Sequence, residues 1–296
     1  MYNVGGLRAA FKIVFDVLGF RLRKLEMANL AAALSIMLAL CLPYGDVIWR
    51  TLFALLLNLF VYLNNDYLDV ALDARAPDKH QGKITFLREH MRAALGAQLG
   101  LLALLVAMAI AHSPGLLVTL VLGAGICVAY SKWLKHTPVA DVLAMTAWGF
   151  AMPLAGTPLN STLGLALAVQ LGLFSSVFES TQVICDHDAD RATGVHTTAV
   201  VLGIGRTMWL IRLLILLVAV YAALVLHPLG GAVAAGALLI RRREGQAVRY
   251  WTAIKLVYGI AWLGICGWVF FHGQSQGLLW QIPADATIEA LNWTSR

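Results

Sequence analysis

Apolar runs of membrane-crossing length, broken by short polar connections, fill the chain from residue 27 to residue 271. An α-helix rises about 1.5 Å per residue, so about 20 apolar residues cover the hydrocarbon core of a bilayer. In lipid the backbone must satisfy its own polar groups, and a helix does so. The pattern predicts nine spans, at about 27–43, 46–66, 91–112, 114–131, 139–157, 161–185, 206–227, 228–240 and 251–271, the eighth being short. Pro43-Tyr44-Gly45, His112-Ser113-Pro114 and His227-Pro228 punctuate tight connections. Ahead of the first span, Leu7, Phe11, Phe15, Leu18 and Leu22 recur at helical spacing among Arg8, Lys12, Arg21, Arg23 and Lys24. That is the pattern of a helix lying in the headgroup region, not of a cleaved leader. The expected organisation is an interfacial amphipathic helix over 1–24, a transmembrane domain over 25–271 and a tail over 272–296.

Lysine and arginine fall on alternate connections. The N-terminal arm and the loops after spans two (Arg75, Lys79, Lys83, Arg88), four (Lys132, Lys135), six (Arg191) and eight (Arg241, Arg242, Arg243, Arg249) are basic. The positive-inside rule then places the N-terminus and these loops in the cytoplasm and the C-terminus outside, an alternation that nine spans satisfy. The two long polar connections share the cytoplasmic side, where they would cap a cavity between the helices. The fold class expected is all-α, a polytopic membrane protein of about nine transmembrane helices around a central cavity with a cytoplasmic cap.

Composition makes lipid the solvent of much of the surface. Hydrophobic residues account for 60% of the 296 positions and charged residues for 13%, with a mean hydropathy of +0.76. Soluble domains carry about a quarter charged residues. The net charge of +6 is scattered over short loops instead of a groove-like patch, which argues against nucleic acid as a partner. Cys41, Cys127, Cys185 and Cys266 lie in or beside apolar runs without CxxC spacing, so they read as small apolar fillers.

Two acidic clusters carry the chemistry. Span two ends in Asn64-Asn65-Asp66-Tyr67-Leu68-Asp69-Val70-Ala71-Leu72-Asp73, and span six in Glu179-Ser180-Thr181-Gln182-Val183-Ile184-Cys185-Asp186-His187-Asp188-Ala189-Asp190. Steps of four drift only about 40° around a helix, so Asn65, Asp69 and Asp73 line one strip and Gln182, Asp186 and Asp190 another. Both strips fall at the cytoplasmic ends of even-numbered spans and could face one cavity. Carboxylates at the edge of hydrocarbon are expensive and mark function. Hard oxygen donors select magnesium or calcium, and magnesium commonly bridges a few carboxylates to substrate phosphates. Arg75, Lys79, Lys83, Lys132, Lys135 and Arg191 stand nearby to share phosphate charge. Phe60, Tyr62, Tyr67, Tyr130, Trp148 and Phe178 are candidate cavity aromatics, although ordinary packing explains any one of them. His187 and His196 are given no catalytic role.

These motifs resemble the UbiA superfamily of intramembrane prenyltransferases over roughly residues 25–270. The NDxxDxxxD motif reads Asn65-Asp66-Tyr67-Leu68-Asp69-Val70-Ala71-Leu72-Asp73, and the second motif region reads Asp186-His187-Asp188-Ala189-Asp190 followed by Gly194-Val195-His196-Thr197-Thr198-Ala199. Tyr130-Ser131-Lys132-Trp133-Leu134-Lys135 with Asp141, then Pro153-Leu154-Ala155-Gly156, is similar to the middle signature. The resemblance implies nine helices around a lipid-open cavity and Mg²⁺ bridging both Asp motifs to a prenyl diphosphate. It implies a metal shell of Asn65, Asp69, Asp73, Asp186 and Asp190. The catalytic set becomes Asp69, Asp73, Asp186, Asp190 and Glu179, with Glu179 orienting the acceptor. Asn64, Asp66, Tyr130, Gln182 and the basic residues Arg75, Lys79, Lys83, Lys132, Lys135 and Arg191 become candidate substrate contacts. The loop after Asp73 departs from the family's Arg-Pro pair, reading Arg75-Ala76-Pro77-Asp78-Lys79-His80-Gln81-Gly82-Lys83.

The expected activity is Mg²⁺-dependent transfer of a prenyl group from its diphosphate to a lipid-soluble, aromatic or quinone-precursor acceptor. A terpene cyclase and a lipid-phosphate phosphoribosyltransferase use the same scaffold and stay open. An ion-coupled transporter fits less well, because the acidic residues sit at one membrane face and not at the bilayer centre.

Overall fold

A computed structural model describes residues 4–23, 27–74 and 81–283, so Lys24, Arg75, Lys79 and residues 284–296 lie outside the described residues. Every regular element among the described residues is helical. In chain order they are α1 (Val4–Arg23), α2 (Ala28–Ala39), α3 (Tyr44–Asp73), α4 (Gln81–Glu89), α5 (Met91–His112) and α6 (Gly115–Lys132), followed by α7 (Ala140–Ala151), α8 (Thr162–Thr193), α9 (Thr198–Tyr221), α10 (Pro228–Ala235) and α11 (Ala247–His272).

Six helical stretches are long and apolar enough to cross a membrane: Tyr44–Ala71, Met91–His112, Gly115–Lys132, Thr162–Ala192, Thr198–Leu226 and Ala247–His272. Ala28–Ala39 and Pro228–Leu239 are apolar but shorter. Twelve residues of helix reach only about 18 Å, well below the hydrocarbon thickness. The expected fifth span is likewise short of a full α-helix, since α7 tightens after Ala151 into a narrower turn over Met152–Gly156. The chain is an integral membrane protein. Its exposed apolar side chains, among them Ile110, Val121, Trp209, Leu213, Leu256 and Leu263, sit on those long helices, where lipid is the solvent.

The interior divides into three packed groups. α2, α8, α9, α10 and α11 build one around Leu167, Phe174, Ile211 and Tyr258. α3, α5, α6 and α7 build the second around Phe53, Leu57, Leu105 and Leu120. α1 joins α3 and α5 in the third through Ile13, Val17, Leu59, Leu63 and Ala94. α1 buries Ala9, Ile13 and Val17 while exposing Leu7, Phe11, Phe15 and Leu22, so it carries one apolar stripe for the protein and a second for its surroundings.

Small residues bring the first two groups together at the α7–α8 seam. A Cβ on Gly149 would lie 2.2 Å from the Ser175 Cβ, and one on Gly172 3.0 Å from the Phe150 Cβ. Ser175 donates to the Met145 carbonyl at 2.7 Å across the same seam. Close backbone approach of this kind is how helices associate where no hydrophobic drive separates protein from lipid.

At the end of the bundle where α3 begins, Arg50 donates to Asp46 at 2.7 Å and to the Ala155 carbonyl at 3.2 Å, and His112 also meets Asp46. There the last turn of the α9 helix widens over Ala222–Leu226. The segment after α11 returns to it: Gln276, Leu278 and Leu279 donate backbone N–H groups to the carbonyls of Leu226, Ala223 and Leu224 at 2.8, 3.0 and 3.0 Å. A Cβ on Gly277 would sit 2.4 Å from the Leu224 oxygen, so only glycine lets this segment lie so close.

Candidate active site

α3 stays helical through its polar end to Asp73, so Asn65, Asp69 and Asp73 occupy one strip about 12 Å long. α8 does the same on the other side of the cluster. Glu179, Asp186 and Asp190, seven and four residues apart, share a face within about 40°. α8 begins on a Ser161 cap that accepts from the Gly164 N–H at 3.0 Å. It ends at Gly194, whose φ of 76° suits glycine, and the Val195 N–H returns to the Asp190 carbonyl at 2.9 Å.

The strips meet through the end of α6 and the single turn Leu134–His136 that follows it. Ser131 donates to Asn65 Oδ1 at 3.0 Å, and the Lys135 ammonium lies 2.7 Å from Asp69 Oδ2. Tyr130 donates to Glu179 Oε1 at 3.4 Å and also lies within electrostatic reach of Asp69. Lys135 is likewise within electrostatic reach of Glu179 and Asp190. One short stretch, Tyr130–Lys135, therefore touches the first strip and faces the second.

Asp141 fixes that stretch to the second strip. Its side chain is 1% exposed. It accepts from the Val142 N–H at 2.8 Å, from the Thr198 N–H at 2.8 Å and from the Thr198 hydroxyl. The Thr198 oxygen in turn accepts from the Val139 N–H at 2.7 Å, and Val139 has a φ of 70°, unusual for a β-branched residue. The neighbouring Thr197 donates to Asp190 Oδ2 at 3.2 Å. A buried carboxylate thus ties the turn that carries Lys135 to the loop that orients Asp190.

Other sequence candidates sit elsewhere. Asn64 donates to Gln98 on α5 at 3.0 Å, which directs it into helix packing. Asp66 faces away from the Lys135 turn and holds Arg21 of α1 at 2.8 Å and Lys83 of α4 at 2.5 Å. Arg21 also stacks 4.3 Å from the Tyr62 ring centroid. Lys132 is exposed beside Trp133. Gln182, Asp186 and Arg191 are exposed at the end of α8, and Asp73 is half-buried at the end of α3. Phe60 and Trp148 are core residues, and Phe178 joins Phe174 and Tyr258 in an aromatic cluster. The roles of Arg21 and Gln98 had no signal in local spacing, since each acts on a partner far along the chain.

Among the described residues, no three His, Cys, Asp or Glu side chains gather closely enough to hold a metal ion as they stand. The donor set nevertheless fits magnesium. It consists of amide and carboxylate oxygens on two strips, and a cation, the Lys135 ammonium, already sits against the first and within reach of the second. Magnesium needs only one or two protein carboxylates when waters and phosphates complete its shell.

Comparison with curated protein sequences finds no match. Among solved structures, a digeranylgeranylglyceryl phosphate synthase is similar with a TM-score of 0.70 at 14% identity, covering 90% of this chain and 100% of that one. A UbiA homologue from Archaeoglobus fulgidus bound to GPP and Mg²⁺ has a TM-score of 0.59 at 16% identity, covering 89% of this chain and 98% of that one. The same homologue bound to DMAPP and Mg²⁺ has a TM-score of 0.58 at 16% identity, covering 88% and 98%. At such identities the likeness establishes the fold. The sequence profile of the UbiA prenyltransferase family, however, matches residues 27–252. With most of its length matched and its two acidic helix ends joined through one lysine turn, the chain belongs to the UbiA prenyltransferase family.

Proposed function

We propose that this chain transfers a prenyl group from a prenyl diphosphate to a lipid-soluble acceptor, with Mg²⁺ held by Asn65, Asp69 and Asp73 on one side and Asp186 and Asp190 on the other. The observation that supports this most is Lys135, 2.7 Å from Asp69 and within electrostatic reach of Asp190 and Glu179. A single positive group between two strips of oxygen donors marks a place where added cations and a polyanion can be accommodated together. Solved relatives carry GPP or DMAPP with Mg²⁺, which is the ligand chemistry this arrangement suits.

In the reaction the allylic C–O bond breaks, the diphosphate leaves, and a nucleophilic carbon or oxygen of the acceptor takes the prenyl carbon and loses its proton. Bound magnesium supplies positive charge to the leaving diphosphate. Lys135 and Arg191 hold phosphate oxygens in this reading, while Lys83 stays paired with Asp66. Glu179, buried and held by Tyr130, orients the acceptor. We assign the N-terminus, α1 and the basic loops to the cytoplasmic side, with the three shorter apolar segments completing nine membrane-inserted helices.

Labelled prenyl diphosphate, supplied with Mg²⁺ to the purified protein and a lipid extract, tests the reading. Asp69→Ala and Asp186→Ala are expected to insert and purify normally yet to lose turnover. EDTA stops the wild-type reaction and Mg²⁺ restores it. Undiminished turnover in both variants would overturn the metal role.

A further inference from the structure

A cleft of about 230 Å³ opens between the α10–α11 connection and the first turns of α11, lined by Arg241, Arg243, Gln246, Arg249 and Tyr250 among others. It lies at the same end of the bundle as the acidic strips, since Arg242 is within electrostatic reach of Cys185, next to Asp186. None of its three arginines has an ion-pair partner among the described residues, and Glu244 is the one acidic residue between Arg241 and Tyr250. Arg212 and Arg242 add further positive charge within electrostatic reach of Tyr250.

Two more features point to an anion. Gln246 starts the 26-residue helix α11 without a side-chain cap, so the N–H groups of its first turn have no intrahelical acceptor and the positive end of the helix dipole opens on the cleft. Tyr250 is only 4% exposed and lines the cleft, yet its hydroxyl makes no hydrogen bond. An oxygen-rich anion in the cleft would offer that hydroxyl an acceptor. Leu239 and Val248, next in the chain to the lining residues Ile240 and Arg249, are 84% and 66% exposed, so apolar side chains adjoin the arginines.

We propose that this cleft binds a phosphate group carried by an anionic membrane lipid, at a site distinct from the Asp strips. Guanidinium forks and helix-end amides suit phosphate oxygens, and the flanking apolar side chains suit the first methylenes of acyl chains. The proposal does not depend on prenyl transfer.

The test uses the purified full chain in detergent, titrated with dioctanoyl phosphatidic acid, dioctanoyl phosphatidylcholine or inorganic phosphate and read by native mass spectrometry. Phosphatidic acid is expected to bind the wild type at least tenfold more tightly than phosphatidylcholine. Arg241→Gln with Arg243→Gln should weaken it by about tenfold or more, as loss of charge-assisted hydrogen bonds implies. Tyr250→Phe, which removes one oxygen and little packing, should weaken it severalfold and serves if the double variant does not fold. Equal binding of both lipids, or phosphatidic acid binding unchanged in both variants, overturns the site. Inorganic phosphate binding as tightly as phosphatidic acid, with the same losses in the variants, overturns the lipid as its source.

Discussion

Replacing Asp141 by asparagine removes one acceptor from a site that has no spare partners. The carboxylate receives the Val142 N–H, the Thr198 N–H and the Thr198 hydroxyl, and it is 1% exposed. An amide can keep Oδ1 for two of these donors, but its NH₂ then meets the Thr198 N–H donor to donor. A buried donor left unsatisfied costs about 1–3 kcal/mol, and the opposed dipoles add to it. At about 2–4 °C per kcal/mol for a chain of this size class, an apparent Tm lower by about 3–10 °C is expected. The effect on turnover should exceed the effect on folding, because the same carboxylate sets both the Lys135 turn and the Thr197–Asp190 contact. A positional error of about 1 Å at a reacting centre can reduce rate by about 10²-fold. Activity measured against prenyl diphosphate and Mg²⁺ below the variant's Tm should show a fall of about 10–100-fold in kcat/KM and a raised Mg²⁺ requirement. A merely structural role lowers Tm and leaves the Mg²⁺ requirement of the folded fraction where it was. Asp141→Asn with wild-type kcat/KM and Mg²⁺ dependence would refute the coupling.

Three other perturbations separate the site from its supports. Lys135→Ala removes the ammonium 2.7 Å from Asp69 and is expected to lower kcat/KM by about 10²-fold while Lys135→Arg keeps more of it, as steady-state kinetics would show. Arg50→Met breaks an ion pair whose arginine is 3% exposed and should destabilise the fold by about 3–5 kcal/mol, seen as a lower Tm in detergent. Because Asp46 lies about 35 Å along α3 from Asp69, kcat/KM per folded molecule should not change. Gly149→Ala places a methyl carbon 2.2 Å from the Ser175 Cβ, and a loss of several degrees in Tm is expected on forcing α7 from α8.

The acidic strips were legible because polar residues at four-residue spacing stand out at the ends of apolar runs, and helices do continue through them. Lys135 and Tyr130 of the middle signature lie against Asp69 and Glu179, one on each strip. What periodicity could not supply were partners remote in sequence. Asp66 shares its strip's motif yet turns toward Arg21 and Lys83, and Asn64 toward Gln98, because neighbouring positions on a helix point about 100° apart. Asp141 stood in the middle signature, but its grip on Thr198, 57 residues on, depends on how two loops come together. Span lengths were overestimated where an apolar run contains a change of helix type. The fifth span tightens before Gly156, and the eighth tightens after Ala235 into a narrower turn over Gly236–Leu239. Hydropathy reports the solvent of a segment and is blind to its pitch.

The stretch after the last long helix has a use that its position at the chain's end conceals. Where α9 finishes, the carbonyl oxygens of its last turn have no intrahelical donor, as at any helix C-terminus. Residues Gln276–Leu279 provide hydrogens for three of them, acting as a covalently tethered hydration shell. A truncation or affinity tag placed at His272 would strip that shell away, whereas a tag joined beyond Pro283 leaves it in place.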